Sequence, residues 1–259
     1  MKSNNDDALR EDLTKGDGQI FLNIGFWLAF CAFLMLMATG IGVRFEVWHF
    51  RTGFAILKYA AYGGMAAILV MLAAIVFAIK REKKLSLMVV LAAGVMATTA
   101  VAVPRYWQWT AARLPRIHDI STDLDNPPRF VAILPLRQGA ANQVEYGGAE
   151  VAAKQRQAYP DLKTVVLNIP ADRAFAQALA AAHRLHWKVV AEEPAEGRIE
   201  ATDTTFWFGF KDDIVIRVTP AGDHARVDIR SLSRVGVSDA GTNARRIRAY
   251  LSMLSSLSS

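Results

Sequence analysis

The chain has 259 residues, a formal net charge of +6 and a hydrophobic content of 53%. A mean hydropathy of +0.19 is too apolar for one soluble domain, which excludes a wholly aqueous protein. The single cysteine, Cys31, excludes an intrachain disulfide, a Cys-rich zinc site and a CxxC redox pair. Residues 1–103 and 104–259 each carry a net +3, without the basic stripe that nucleic acid would require.

The apolar excess lies before residue 104. Between Asp17 and Arg44 there are 26 uncharged residues, between Lys58 and Lys80 a further 21, and between Lys84 and Arg105 another 20. Each run reaches the roughly 20 residues that a helix needs to cross a bilayer core. A signal peptide fits the first run poorly, because its leader holds Asp6, Asp7, Glu11, Asp12 and Asp17 and the run is too long for an h-region. Three transmembrane helices are predicted, near 20–43, 54–79 and 85–103, preceded by a cytoplasmic tail at 1–19.

Orientation turns on Lys80-Arg81-Glu82-Lys83-Lys84, where four positive charges fall in five residues. A short loop of that density marks the inner side of the membrane. Lys2, Arg10 and Lys15 would share that side, whereas Arg44, Arg51, Lys58, Arg105, Arg113 and Arg116 are scattered on the other. The expectation is a bacterial inner-membrane protein with its N-terminus cytoplasmic and its C-terminal domain periplasmic. Trp48, His49, Tyr106, Trp107 and Trp109 then lie at headgroup depth on the outer face. Lys58 snorkels to that face, and small residues such as Ala60, Gly63, Gly64, Ala67, Ala93, Gly94 and Ala97 let the helices approach closely. Mid-membrane acids and histidine chains are lacking, which argues against a transporter.

The segment 104–163 reads as an aromatic juxtamembrane stretch, a proline-bearing strap through Asn126-Pro127-Pro128, and a loop over 137–161. From 164 the pattern is ordered. A strand at Thr164–Ile169 is followed by a helix whose Phe175, Ala178, Leu179, Ala182 and Leu185 share one face. Strands follow at 187–192, 198–204, 214–218 and 225–235, and a last helix carries Ala244, Ile247, Leu251 and Leu254 in one stripe. The order βαββββα predicts an α+β domain, an antiparallel sheet covered on one face by helices in a helix-grip-like arrangement.

Four stretches carry a resemblance: IHDISTDLDNPPRF at 117–130, AYPDL at 158–162, IEATDTTFWFGFKDDIVIRV at 199–218 and VDIRSLSRVGVSDAGTNARRI at 227–247. They resemble a bacterial and plastid family known as domain of unknown function 1499. The three preceding helices look like the architecture of membrane-bound alpha-proteobacterial members. The resemblance implies the domain and brings no activity with it.

In the strand 225–235, Arg226, Asp228, Arg230, Leu232 and Arg234 share one face, while Val227, Ile229, Ser231, Ser233 and Val235 share the other. If the turn at 238–243 folds back over this strand, Arg230, Arg234, Asp239, Asn243 and Arg246 converge. Such a cluster is an anion or carboxylate site in one reading. In the other, favoured reading it is an ion-pair network partnered by Asp212, Asp213 or Asp239. Those three acids as a calcium site lack a loop signature. His183 and His186 lack the HExxH pattern, Ser231 and Ser233 lack a nucleophile elbow, and no cofactor is implied. The aromatics Phe206, Trp207, Phe208 and Phe210 read as corner filler ahead of a ligand platform. Two functions follow. The first is a non-catalytic membrane protein whose outer domain binds an envelope protein or a small apolar or anionic ligand. The alternative is an envelope hydrolase with Asp212 or Asp239 as base and Arg230 or Arg234 as oxyanion stabiliser.

Overall fold

In the computed structural model, residues 17–82 and 84–258 are described. The chain divides into two compact units, Met1–Gln108 and Trp109–Ser259. Of the charges that set the expected orientation, Lys2, Arg10, Lys15 and Lys83 lie outside the described residues.

The first unit is built from α1 (Asp17–Arg44), α2 (Phe50–Lys80) and the greater part of α3 (Leu87–Arg113). All three are long and apolar enough to cross a membrane. Small residues set their packing: a Cβ on Gly63 would lie 3.2 Å from Ala32 on α1, and one on Gly64 would lie 2.9 Å from the Ala97 carbonyl on α3. Two neighbours therefore approach α2 through adjacent glycines, as close backbone approach in lipid requires. At the α1–α2 turn the Trp48 ring occupies the space that a side chain at Gly42 would take, and its indole N–H donates to the Thr39 carbonyl at 3.3 Å. The third helix does not stop at 103. It continues through the buried Pro104 to Arg113, because one lost backbone hydrogen bond is tolerated in a packed transmembrane helix.

The second unit contains β1 (Asp119–Ser121), α4 (Gly148–Ala158), β2 (Val165–Leu167), α5 (Ala171–Arg184), β3 (Lys188–Glu193), β4 (Arg198–Thr204), β5 (Lys211–Ala221), β6 (His224–Ser233) and α6 (Thr242–Ser258). The sheet is antiparallel in the order β1-β6-β5-β4-β3, and β2 pairs with the opposite end of β6 from β1. From β2 onward the order is βαββββα, as the periodicity predicts.

Two elements depart from the sequence reading. A helix, α4, stands where 137–161 reads as loop, and a strand, β1, precedes the segment taken as ordered. Each depends on a partner distant in sequence. The Gln155 side chain on α4 is fully buried; its Oε1 accepts the Ser121 backbone N–H at 3.0 Å and its Nε2 donates to the Ser121 carbonyl at 2.6 Å. An amide side chain thus takes the place of a neighbouring strand. The core accordingly begins at Ile117, well before 164.

The register assigns every sheet residue to a face. Ile199, Ala201, Ile214, Ile216, Val227 and Ile229 face α5 and α6 and form the main core, with Trp187 and Tyr250 stacked at 5.3 Å. The other face is covered by the strap, where Phe130 and Ile133 pack on Val215 and Leu232. A sheet covered on both faces explains why so many polar residues of the strands are buried.

Candidate functional site

The sheet separates the candidate residues. Asp212 pairs in register with Ser233, and Asp213 with Leu232, so consecutive carboxylates point to opposite faces. Arg230, Arg234 and Asp213 lie under the strap, while Asp212 lies under α6, the helix that carries Asn243 and Arg246. The convergence expected of Arg230, Arg234, Asp239, Asn243 and Arg246 does not occur. The same geometry removes a calcium site built from Asp212 and Asp213 together, and it keeps Asp212 from acting with Arg230 or Arg234 on one substrate.

Under α6 the hub is Arg246. Its Nε donates to Asp203 at 2.7 Å, and its Nη2 to Asp212 at 2.6 Å. Its Nη1 reaches Ser231 Oγ at 3.2 Å and also the Asn243 side-chain oxygen. Asn243 donates in turn to the His118 carbonyl and to Ser233 Oγ, both at 2.9 Å. The two serines are therefore hydrogen-bonding partners of this network. Asp239 accepts the N–H groups of Gly241 and Asn243 at 2.8 and 2.6 Å as α6 begins. Burial pushes its carboxyl above the usual aspartate range; the two backbone N–H groups oppose that shift and the neighbouring Asp212 adds to it.

Under the strap, Asp213 is fully buried and accepts from Arg137 Nη1 at 2.5 Å, from Arg234 Nε and Nη2 at 2.9 and 2.8 Å, and from Thr202 Oγ1 at 2.8 Å. Asp119 holds Arg230 in a two-pronged pair at 2.9 and 2.7 Å. The Arg230 guanidinium also lies 5.1 Å from the Phe130 ring centroid and 5.4 Å from that of Tyr146. Burial, aided by Asp119, pushes the Tyr146 hydroxyl up to about 12.

Sequence reasoning missed Glu200. This fully buried carboxylate accepts the backbone N–H groups of Val131, Ala132 and Ile133 at 2.9, 3.0 and 2.9 Å, and pairs with Arg198. An acid in the middle of the strand RIEATDT was the available signal, since a buried charge requires partners. These contacts fasten the strap to the sheet: Glu200 at its middle, Asp213 and Arg234 at the Leu134–Arg137 turn, and Arg217, paired with Asp123 and Asp228, at its start.

Where the strap meets the rim of the sheet it leaves an open cleft of about 260 Å³, lined by Asn126, Pro128, Arg129, Val131, Glu196, Arg198, Val215 and Arg217. Arg198 pairs with Glu196 and Glu200, and Arg217 with Asp123 and Asp228. Arg129 is exposed and makes no hydrogen bond or ion pair among the described residues. Three guanidinium groups facing one concavity can accept an anion, because their forked donors match carboxylate and phosphate oxygens.

A family model described as protein of unknown function (DUF1499) matches residues 119–254, which span both polar clusters, the strap and the cleft. No curated protein matches the chain.

Proposed function

The chain belongs to the DUF1499 family, and from that premise we propose that it is a membrane-anchored, non-catalytic binding protein that takes an anionic group at the Arg129–Arg198–Arg217 cleft. The observation that carries this reading is the contrast between the committed acids and the uncommitted Arg129. Asp213, Asp119, Glu200 and Asp212 are all buried and all held by arginine. A general base must reach a substrate from a cleft, and these carboxylates are packed away from one. Arg129 stands at the cleft mouth, where an anion would gain a charge-assisted bond at little cost. Glu196, whose side chain is 60% exposed, yields its hold on Arg198 readily, because exposed pairs contribute little.

The domain lies on the extracytoplasmic side of a bacterial inner membrane in this reading, supported by Lys80 at the end of α2 and by Arg81 and Lys84 in the link to α3. Alkaline phosphatase fused after residue 259 is then active, and an inactive fusion overturns the orientation. For the cleft, the purified chain is titrated with inorganic phosphate and with succinate while its melting temperature is followed. A ligand that binds only the native state raises it. The Arg129→Ala variant should lose that rise; no rise in the parent chain, or an equal rise in the variant, defeats the anion site.

A further inference from the structure

Strand pairing sets the floor of the Arg129–Arg198–Arg217 cleft. Arg198 on β4 stands directly opposite Arg217 on β5, and Glu200 stands opposite Val215. Like charges placed opposite one another repel, so each of these arginines is neutralised by acids. Arg198 donates through Nε to Glu196 at 3.0 Å and pairs through Nη1 with Glu200. Arg217 donates through Nη2 to Asp123 and Asp228, both at 2.9 Å, and through Nη1 to the Asn126 carbonyl at 3.0 Å. The three arginines of the cleft therefore meet four carboxylates, and Arg129 is the one that makes no hydrogen bond or ion pair among the described residues. One positive charge is open to a ligand. A second negative charge on that ligand would meet Glu196 and Asp123, which repel it.

The surface beside that open charge is apolar. Val131, 51% exposed, follows Arg129 by two residues on the strap, Pro128 precedes it, and Val215 lines the same hollow from β5. Phe130, between Arg129 and Val131, turns into the core. The Val131 N–H donates to Glu200 at 2.9 Å, so this valine is held at the cleft before any ligand arrives, which lowers the ordering cost of binding. The size is also restrictive. At the roughly 30 Å³ that a water molecule occupies in the liquid, about 260 Å³ has room for about nine non-hydrogen atoms.

We propose that the cleft binds a monocarboxylic acid with a short apolar body, of about four to eight carbons by that volume, in preference to a dicarboxylate or a phosphate dianion. This rests on the reading of the cleft as an anion site and names the class of anion. The ligand carboxylate takes the Arg129 fork together with the edge of Arg198 that Glu196 gives up. Its alkyl chain covers Val131, Pro128 and Val215 and removes apolar surface from water. A dicarboxylate of the same length lays its second charge on that apolar wall, where an unpaired charge is strongly disfavoured. A phosphate dianion brings its second charge among acids that already outnumber the arginines.

The test uses the full chain in detergent micelles, with apparent affinity read from the concentration dependence of the melting temperature. The probes are acetate, butyrate, hexanoate, succinate and inorganic phosphate at one ionic strength. Affinity should rise by about two- to fourfold per methylene from acetate to hexanoate, the value for partial to full burial of the added group. Butyrate should exceed succinate, which has the same number of carbons, several-fold. Val131→Ser should flatten the rise along the series and leave acetate binding in place, and Arg129→Ala should abolish binding of every acid. Both side chains are exposed, so neither variant threatens the fold. A flat series, succinate equal to or tighter than butyrate, or a rise unchanged in Val131→Ser overturns the proposal; loss of binding in Arg129→Ala then leaves the anion site standing. No response to any of the five probes, or responses that persist in Arg129→Ala, overturns the anion site and the proposal together.

Discussion

Asp213 is the carboxylate whose removal should cost the domain most, because it joins the strap to two strands at once. In Asp213→Asn the side chain keeps its volume and one acceptor for Thr202, but Arg137, with its side chain only 5% exposed, loses its counter-charge. Removing one partner of a buried pair costs about 3–5 kcal/mol. Arg234→Ala is milder, about 1–3 kcal/mol, since Asp213 retains Arg137 and Thr202 and the Arg234 side chain is already 16% exposed. For a domain of this size each kcal/mol moves the melting temperature by roughly 2–4 °C. Asp213→Asn should therefore lower it by roughly 6–20 °C and Arg234→Ala by roughly 2–12 °C. The assay is thermal unfolding of a fragment beginning at Leu114, followed by circular dichroism. In the double variant the losses should fall short of additive by about 1–3 kcal/mol, the coupling of residues in one network. Strict additivity, or an Asp213→Asn loss no larger than that of Arg234→Ala, would refute the account of the strap as fastened through Asp213.

Two further outcomes follow from other parts of the molecule. The Asp239 carboxyl is raised, so the folded state binds its proton more tightly than the unfolded chain does. Stability from this group is then present at low pH and falls as pH rises from about 4 through the raised value. Asp239→Asn, neutral throughout, should gain on the parent chain between pH 4 and pH 7 in urea unfolding, and parallel curves for the two would contradict the shift. In the membrane unit, Gly64→Leu drives a side chain against the Ala97 carbonyl and should cost about 1–3 kcal/mol, read as a lower melting temperature in detergent. Gly94→Leu should be milder, because a Cβ there meets only Met71, at 4.0 Å.

The division into three long apolar helices and an α+β domain was readable from residues alone, because both signals are local. Uninterrupted apolar runs mark the spans, and an apolar period of two or of three to four marks the strands and helices from 164 onward. The alternation along 225–235 also assigned Arg230 and Arg234 to one face and Ser231 and Ser233 to the other. The tertiary structure decided what covers each face. A three-residue strand such as β1 has no period of its own and forms only because β6 supplies its hydrogen bonds. Helix α4, with few apolar residues, is anchored by Gln155 to a backbone 34 residues away. The candidate cluster divided in two for the same reason: adjacency along the chain brought Asp212 and Asp213 together, whereas the pleat of the strand sent one carboxylate to Arg246 under the helix and the other to Arg137 and Arg234 under the strap. Glu200 and Arg129 stood in the sequence as ordinary charged residues. Only the folded strap makes one of them an acceptor of three backbone N–H groups and leaves the other free at the mouth of a cleft, because burial and pairing depend on segments far apart in the chain.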